Sequence, residues 1–226
     1  MIIDLNLGYH KIFKNMNFKI IGNSKLTNSL VIDNWFNERE EKAIWSELNF
    51  YNALPKQYQT RTDNVQDVAR DDDGSSRAKC FRWYPSEYFN HNYSHISHIL
   101  NCQRKVEEDN FKEAIDNLTP LNRMFYSSNY QDSMVTYYDN QDYYKPHYDT
   151  FFWTMCIWML KDESKISGGD FVFSDTEEVV ELKHNRAVFF PSFLLHEVKP
   201  ITVLDDSDNY GKYTITNFFS YKFLDE

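Results

Sequence analysis

The C-terminal part of the chain, from Met134 onward, is a series of short β-type segments divided by turns. The segments are rich in aromatic and β-branched residues, as in MVTYY, FWTMCIWML, RAVFFP and KYTITNFFSYKF. Several short strands at such spacing are typical of a β-sandwich or β-barrel. The sequence therefore predicts a mainly β fold here, and this restricts the arrangements that the remaining residues can adopt.

The preceding half is predicted to supply helices, and one strand at SLVIDNWF. The segment NEREEKAIWSELNFY begins with Asn37 as candidate N-cap, and Glu40 follows three residues later, which is the pattern of a capping box. One or two further helices are predicted between Ser94 and Leu118, where apolar residues recur at helical spacing between charges. These helices are expected to brace the β-sheet.

Length and composition fit a single enzyme-sized domain. A chain of 226 residues can build its own core, and an aromatic content of 17% indicates that Phe, Tyr and Trp form much of it. No internal repeat or low-complexity linker divides the chain. We therefore predict one domain over residues 1–226, with helical and lid elements at about 30–130 and a β core at about 131–226.

Charge and cysteine content restrict the partners. A net charge of -10 disfavours general binding to the phosphates of nucleic acid. Cys80, Cys102 and Cys156 show no C-x-x-C spacing, which argues against a zinc ribbon or a disulfide framework. No stretch approaches the roughly 18 apolar residues that a membrane span requires. We predict a cytoplasmic protein.

The stretch YYDNQDYYKPHYDTFF places His147 and Asp149 two residues apart among aromatic side chains. Side chains at i and i+2 of a strand lie on the same face, so the two could bind one metal ion. A hydrogen-bonded His and Asp at a polar turn explains the same pattern. His196 lies in the apolar segment FFPSFLLHEVKPI, where an unpaired imidazole would be costly. Two histidines and one carboxylate form a facial triad, which holds iron(II) and leaves positions open.

In these residues the chain resembles the iron(II)- and 2-oxoglutarate-dependent dioxygenases, in particular the prolyl 4-hydroxylase-like branch. The resemblance is close over the predicted β core and looser at LVIDNWFNEREE. The family pattern of Y, five residues, Y, two residues and H-x-D is met by Tyr138, Tyr144, His147 and Asp149. The family's paired-glycine turn is similar to Gly168 and Gly169, and its approach to the second histidine is similar to RAVFFPSFLLHEV.

This resemblance implies a double-stranded β-helix, a jelly-roll or cupin-like core supported by the N-terminal helices. It implies that His147, Asp149 and His196 are the catalytic residues and bind Fe(II). The family's basic residue on the last core strand corresponds to Lys212 in GKYTITNFF, which would bind the far carboxylate of 2-oxoglutarate. Further cosubstrate contacts are implied for Tyr138 and Thr214.

The implied reaction uses 2-oxoglutarate and O2, hydroxylates a C–H bond and releases succinate and CO2. Ascorbate is a candidate reductant. A peptidyl proline is the substrate that the resemblance favours, and segment 61–85 lies where family members carry a lid. Small molecules, free amino acids and nucleobases remain alternatives.

Candidate substrate contacts are Arg77, Tyr144 and Trp158. Arg77 resembles an arginine that family members use near the substrate backbone, but an ion pair with the acidic run 71–73 explains it equally well. For Trp158, a place in the aromatic core is the preferred explanation. His184, in the turn LKHNR, is expected to be solvated.

Two departures from the family pattern affect the expected site. Gln141 stands where the family often has glycine, so the local turn is expected to differ. The acidic spacer TVLDDSDNYG precedes Lys212. A register slip of one residue there would turn Lys212 outward.

Two other classes of function are considered. A non-catalytic jelly-roll module would use the pocket only to bind a ligand. A zinc hydrolase could use two histidines and a carboxylate, but it needs a general base such as the Glu of H-E-x-x-H. The segment HEVKP has the Glu and no second His.

Overall fold

The computed structural model describes residues 16–54, 60–62, 68–89, 92–204 and 210–222. Its strands are β1 (Asn17–Ile21), β2 (Ser29–Asp33), β3 (Thr60–Arg61), β4 (Ala78–Lys79), β5 (Phe81–Trp83), β6 (Tyr130–Tyr138), β7 (Tyr143–His147), β8 (Trp153–Met159), β9 (Ile166–Gly168), β10 (Phe171–Phe173), β11 (Glu178–Val180), β12 (Arg186–Pro191), β13 (His196–Val198), β14 (Ile201–Val203) and β15 (Lys212–Ser220). Its helices are α1 (Glu38–Ala53), α2 (Pro85–Tyr88), α3 (His98–Asn101), α4 (Asp109–Leu118) and α5 (Asn122–Tyr126).

Most strands belong to two antiparallel sheets that pack against each other. The larger sheet has eight strands in the order β1-β2-β12-β8-β15-β6-β5-β3. The smaller sheet has five, in the order β11-β10-β13-β7-β4, and β14 pairs with β9 separately. Side chains of both sheets meet in one apolar cluster, which contains Trp158 and Phe190 from the larger sheet and Phe171 and Val198 from the smaller. The predicted mainly β, jelly-roll architecture is confirmed.

The N-terminal half supplies strands as well as helices, and β2 confirms the strand predicted at SLVIDNWF. Strands β1 and β2 extend the larger sheet beside β12, while β5 and β3 extend it beside β6. Strand β4 forms the edge of the smaller sheet, next to β7. The two- and three-residue strands are too short to show any periodicity in the sequence.

Strand β8 lies between two apolar cores. All of its residues are buried. Met155 and Ile157 belong to the cluster that includes helices α1 and α4, whereas Cys156 and Trp158 belong to the cluster between the two sheets. Successive side chains of a strand point to opposite faces, so a strand covered on both sides reads as one continuous apolar run. The even-numbered positions of β8 therefore face the smaller sheet.

Helix α1 has the predicted capping box. The Asn37 side chain accepts hydrogen bonds from the backbone N–H groups of Arg39 and Glu40, and the Glu40 carboxylate accepts one from the Asn37 N–H. Ile44 and Leu48 are buried under the helix, as their spacing predicts. Each such side chain contributes about 1.5–3 kcal/mol through burial. Local caps and an apolar stripe thus fix α1 on the sheet.

The predicted helical region from Ser94 to Leu118 is divided into a 3-10 turn over Ser94–Ile96, α3, a second 3-10 turn over Cys102–Glu107, and α4. Glu47 of α1 is buried, and its carboxylate accepts hydrogen bonds from the N–H groups of His98 and Ile99 at the start of α3. This interaction satisfies donors that a helix start leaves unpaired. No helix in these described ranges is both long enough and apolar enough to span a membrane.

The expectation that His184 is solvated is wrong. Its Nδ1 accepts a hydrogen bond from the Leu160 N–H at 3.0 Å, and its Nε2 lies 3.0 Å from a carboxylate oxygen of Glu41. Because Nδ1 accepts, Nε2 carries the proton of the neutral ring and donates to Glu41. The ring also stacks on Trp45. Helix α1 therefore covers a turn that looks exposed in the sequence.

Candidate metal centre

His147 and His196 lie side by side on neighbouring strands. His147 is the last residue of β7, His196 is the first of β13, and their Cα atoms are partners in the antiparallel register. Residues directly opposite each other in an antiparallel pair have adjacent side chains on the same face. The two imidazole ring centroids are 4.3 Å apart. The smaller sheet thus joins two histidines that are distant in the sequence.

Asp149 lies just beyond the end of β7. Its backbone N–H donates to the carbonyl oxygen of Ser192 at 3.2 Å, which fixes the chain after the strand has ended. Its Oδ1 is 3.7 Å from Nε2 of His147, and its Oδ2 is 3.6 Å from Nε2 of His196. One ligand atom from each of the three residues lies within 4.8 Å of the other two. The structure therefore brings together the three side chains that the sequence indicated.

Both imidazole rings are oriented by backbone carbonyl groups. Nδ1 of His147 is 2.9 Å from the carbonyl oxygen of Lys145, and Nδ1 of His196 is 2.8 Å from that of Leu194. A carbonyl oxygen can only accept, so each Nδ1 carries the proton and each Nε2 keeps a free lone pair. A metal-binding histidine usually has such a partner on its other nitrogen.

Thr154 and Ser192 support the Asp149 carboxylate. The Thr154 hydroxyl donates to Oδ2 of Asp149 at 2.7 Å and lies 2.8 Å from the Ser192 hydroxyl. Sequence reasoning missed both residues. The available signal was a threonine within the apolar run FWTMCIWML, since a buried hydroxyl needs a partner.

Burial determines the protonation of the three residues. Burial, together with the neighbouring His196, lowers the pKa of His147 to about 4. Burial also lowers the pKa of His196 to about 4. It raises the pKa of Asp149, against the opposing effect of His147. Near neutral pH both imidazoles are neutral, so two nitrogen atoms and one carboxylate surround a common point. This donor set fits a divalent metal ion with open coordination positions.

A cavity of about 320 Å³ opens at these three residues. It lies between the sheets, and its wall includes Tyr138, Tyr144, Trp158 and Thr214. Ligand sites are typically about 300–1,000 Å³, so this one is small. It can hold a compact acid together with a small substrate or with one side chain of a larger substrate.

Lys212 is buried beside the cavity. Its ammonium group donates to the carbonyl oxygen of Gly169 at 2.8 Å and lies 5.2 Å from the ring centroids of both Tyr138 and Trp158. Lys212 does not itself line the cavity, whereas those two rings do. Among the residues that the structure describes, no carboxylate forms an ion pair with it. Burial lowers the pKa of Lys212 to about 7.

The hydroxyl of Thr214 is a polar group in this region without a hydrogen-bond partner among the described residues. Thr214 follows Lys212 by two residues on β15, lines the cavity, and its buried Oγ1 makes no hydrogen bond with any described residue. A buried cation and a buried hydroxyl that lack an anionic partner fit the carboxylate of an acidic ligand.

Strand β15 keeps the register that buries Lys212. Lys212 pairs with Tyr138 of β6, and its side chain is fully buried. Part of the acidic spacer, residues 205–209, lies outside the described residues.

Two other cations make contacts away from the cavity: Arg186 pairs with Asp33 at 2.6 Å, and the Lys222 ammonium lies 3.3 Å from the Tyr130 ring centroid. The cavity wall includes neither of them.

Gln141 adopts the conformation that a glycine would favour. Its φ is 62°, in the left-handed region, and its N–H donates to the carbonyl oxygen of Ile201 at 2.8 Å. At its backbone, Gln141 therefore adopts a conformation that a glycine could also adopt. Asp142 anchors this turn, because its carboxylate is buried and pairs with Arg61 at 3.2 Å.

Of the three candidate substrate residues, two line the cavity and one does not. Tyr144 lines the cavity and stacks on His147, with ring centroids 3.5 Å apart and planes at 8°. Trp158 lines the inner part, next to Lys212. Arg77 is absent from the described cavity wall and forms an ion pair with Asp71 at 2.9 Å. The structure thus has the ion pair that the sequence left open as an alternative.

Two charged residues of the wall were not identified from the sequence. Arg82 of β5 and Asp132 of β6 both line the cavity. The Arg82 guanidinium lies 5.2 Å from the ring centroid of Tyr84, another residue of the wall. The three-residue strand β5 and the start of β6 carry no recognisable pattern in the sequence, so no local pattern places these side chains beside the metal centre.

Comparisons with known proteins agree with this site. Residues 133–220 match the family model described as the 2OG-Fe(II) oxygenase superfamily, and this range contains all three candidate ligands. No curated protein matches the chain by sequence.

Two solved structures illustrate the shared fold. A prolyl-4-hydroxylase from Pseudomonas putida has a TM-score of 0.55 and 13% identity, over 86% of this chain and 92% of the other. An oxidoreductase of the 2OG-Fe(II) oxygenase family from Burkholderia pseudomallei has a TM-score of 0.52 and 11% identity, over 85% of this chain and 84% of the other. At such low identity, the two likenesses concern the fold.

The geometry of the centre predicts that one iron(II) binds through His147, Asp149 and His196. The variants His147→Ala and His196→Ala should each lose most of the bound metal, because each removes one of three protein ligands. Iron content after anaerobic loading measures this directly. His95→Ala is the matched control, since His95 is exposed and should leave the iron content unchanged. Normal iron content in both ligand variants would contradict the assignment.

Proposed function

Because the chain belongs, through residues 133–220, to the 2OG-Fe(II) oxygenase superfamily, we propose that His147, Asp149 and His196 hold the iron(II) of this enzyme. The observation that carries the proposal is the convergence of two Nε2 atoms and one carboxylate at a single cavity. The enzyme is an iron(II)- and 2-oxoglutarate-dependent dioxygenase. Bound iron(II), with 2-oxoglutarate and O2 as cosubstrates, would supply the oxidative chemistry that hydroxylates a C–H bond and releases succinate and CO2.

We assign the binding of the far carboxylate of 2-oxoglutarate to Lys212. Its ammonium is buried, without an acidic partner among the described residues, and next to two rings of the cavity wall. Thr214 offers a hydroxyl on the same strand face, and Tyr138 lies over the ammonium. A carboxylate that enters here would gain a charge-assisted hydrogen bond in a site sheltered from water.

The remaining residues keep the centre in position and exclude water. Carbonyl groups hold both imidazoles with the proton on Nδ1, and the Thr154 hydroxyl fixes one oxygen of Asp149. Tyr144 covers one face of His147, and Phe171 stacks on His196 at 5.2 Å between centroids. The protein's part in the reaction is therefore positioning and exclusion of water.

For the substrate we propose a peptidyl proline. The small cavity supports this, since it has room for one side chain of a longer molecule rather than for a large ligand. Exposed Tyr148, which lies between two metal ligands, offers an aromatic contact at the rim. A prolyl-4-hydroxylase is among the proteins of similar fold. A small molecule or a nucleobase is the alternative substrate.

Of the described parts of segment 61–85, Ala69, Arg82 and Tyr84 contribute to the cavity wall. We propose that this segment covers the substrate.

A non-catalytic binding module and a zinc hydrolase account for less of the site. A ligand-binding module has no need of a complete triad beside a buried cation. A hydrolase needs a general base near its metal, and the Glu197 carboxylate instead interacts with Lys199 at 2.8 Å.

We also propose a cytoplasmic location for the enzyme and ascorbate as its reductant. The free, buried thiols of Cys80, Cys102 and Cys156 support a reducing compartment.

Removal of the Lys212 ammonium should weaken 2-oxoglutarate binding and leave iron bound. Loss of one charge-assisted hydrogen bond of about 1.5–3 kcal/mol lowers the affinity by roughly 10- to 150-fold. Lys212→Arg should recover only part of the 2-oxoglutarate affinity that Lys212→Ala loses, because the planar guanidinium has a different reach. The 2-oxoglutarate dependence of succinate formation measures the effect. Lys222→Ala is the matched control, and an unaltered curve for Lys212→Ala would show that another group binds the cosubstrate.

Affinity for 2-oxoglutarate should also fall as the pH rises above about 7. Burial lowers the pKa of free Lys212 to about 7, whereas a bound carboxylate favours the ammonium, so binding above this pH takes up a proton. The affinity should fall by roughly tenfold per pH unit above 7 and level off below it. Titration calorimetry in buffers of different ionisation enthalpy detects the proton. A slope that persists in Lys212→Ala would assign the dependence to another group.

The substrate class is tested with iron(II), ascorbate, 2-oxoglutarate and a panel of proline-containing peptides. The expected product is a peptide heavier by one oxygen atom, detected by mass spectrometry and absent with His196→Ala. Matched peptides with alanine for proline are the negative controls. Succinate formation without any peptide oxidation would leave the reaction class intact and eliminate the prolyl substrate.

A further inference from the structure

We propose that Arg77 is a positioning residue for His147, holding the strand that carries this metal ligand from outside the cavity. The inference rests on the proposed function, since it takes His147 as a ligand. It assigns Arg77 a different role from the substrate contact that the sequence suggested. Three sets of contacts carry it.

The first set joins Arg77 to the backbone just before His147. Nη1 of Arg77 donates to the carbonyl oxygen of Pro146 at 2.8 Å. That carbonyl belongs to the same planar peptide group as the backbone nitrogen of His147, so its position fixes the start of the ligand residue. The carbonyl oxygen of Arg77 also accepts a hydrogen bond from the Lys145 N–H at 2.9 Å. Arg77 thus binds two successive residues of β7.

The second set of contacts consists of ion pairs that join Arg77 and Lys145 through one shared carboxylate. Nε of Arg77 donates to Oδ1 of Asp71 at 2.9 Å, and the Lys145 ammonium pairs with Oδ2 of the same carboxylate. The carbonyl oxygen of Lys145 in turn accepts from Nδ1 of His147. Lys145 is therefore held through its N–H, its side chain and the imidazole itself. A shift of Lys145 would move the group that orients the ring.

The third contact links this network to the cavity. The Arg77 N–H donates to the carbonyl oxygen of Ala69 at 2.8 Å, and Ala69 lines the cavity. The same short segment therefore forms part of the wall and anchors the strand of the first metal ligand. Arg77 thus connects the part of the cavity wall at Ala69 to the strand that carries His147.

The geometry requires an arginine. The planar guanidinium donates to a carboxylate through Nε and to a carbonyl through Nη1 at the same time. A lysine ammonium is a single point charge and cannot reproduce this fork. Arg77→Lys should keep the attraction to Asp71 but lose the fixed contact to Pro146.

The chain contains a closely matched control. Arg186 donates through Nε and Nη2 to the Asp33 carboxylate and through Nη1 to the carbonyl oxygen of Glu181, so it also joins a carboxylate to a carbonyl group. Arg186 does not line the cavity and precedes no metal ligand. Arg186→Gln therefore removes an equivalent arginine without touching the strand of His147.

The experiment compares the dissociation constant of cobalt(II), by titration calorimetry, with the melting temperature. Arg77→Gln should weaken cobalt binding by about 10- to 100-fold, the usual loss when a group supporting a metal ligand is removed. Arg77→Lys should regain melting temperature more fully than metal affinity. Arg186→Gln should lower the melting temperature and leave the cobalt affinity unchanged.

Two results would overturn the proposal: wild-type cobalt affinity in Arg77→Gln, or an equal loss of affinity in Arg186→Gln. If Arg77→Gln fails to fold, Arg77→Lys decides, because full metal affinity in that variant would exclude the forked contact. A failure of the proposed function is distinguishable. In that case wild type and His147→Ala would bind cobalt(II) alike.

Discussion

The pairing of β7 with β13 is the constraint on which the metal centre depends. It places His196 opposite His147 within the smaller sheet, and a slip of one residue would turn one imidazole to the other face. The carbonyl groups of Lys145 and Leu194 orient both rings, each two residues before its histidine. The larger sheet adds Thr154, and the apolar cluster between the sheets excludes water. The centre is therefore a product of sheet register.

Features determined by short-range spacing could be predicted from the sequence. The capping box of α1 depends on residues three apart, and the proximity of His147 to Asp149 depends on residues two apart. The β strands after Met134 were visible because aromatic and β-branched runs stand between turns. The role of Lys212 was predicted from the resemblance of GKYTITNFF to a family pattern, and the burial of Lys212 on β15 is consistent with that role. Such signals are present within a few residues.

Features determined by long-range packing could not be predicted. The Thr154 hydroxyl on β8 contacts the hydroxyl of Ser192, which directly follows the neighbouring strand β12. His184 is covered by α1, which lies far from it in the sequence. The left-handed conformation of Gln141 has no signal in the residue type, because glycine usually occupies such positions. Arg77 was ambiguous for the same reason: its partner Pro146 comes close only when β4 pairs with β7.

Lys212 is buried and has no ion-pair partner within the described ranges, and this has a consequence for the stability of the enzyme. A cation taken from water without a counter-charge lowers the stability of the ligand-free fold. Under the proposed assignment, 2-oxoglutarate supplies that charge, so the cosubstrate acts as a folding ligand. Each tenfold excess over its dissociation constant adds about 1.4 kcal/mol of stability by mass action. Proteases act on the unfolded fraction, so bound 2-oxoglutarate would also slow proteolysis of the enzyme.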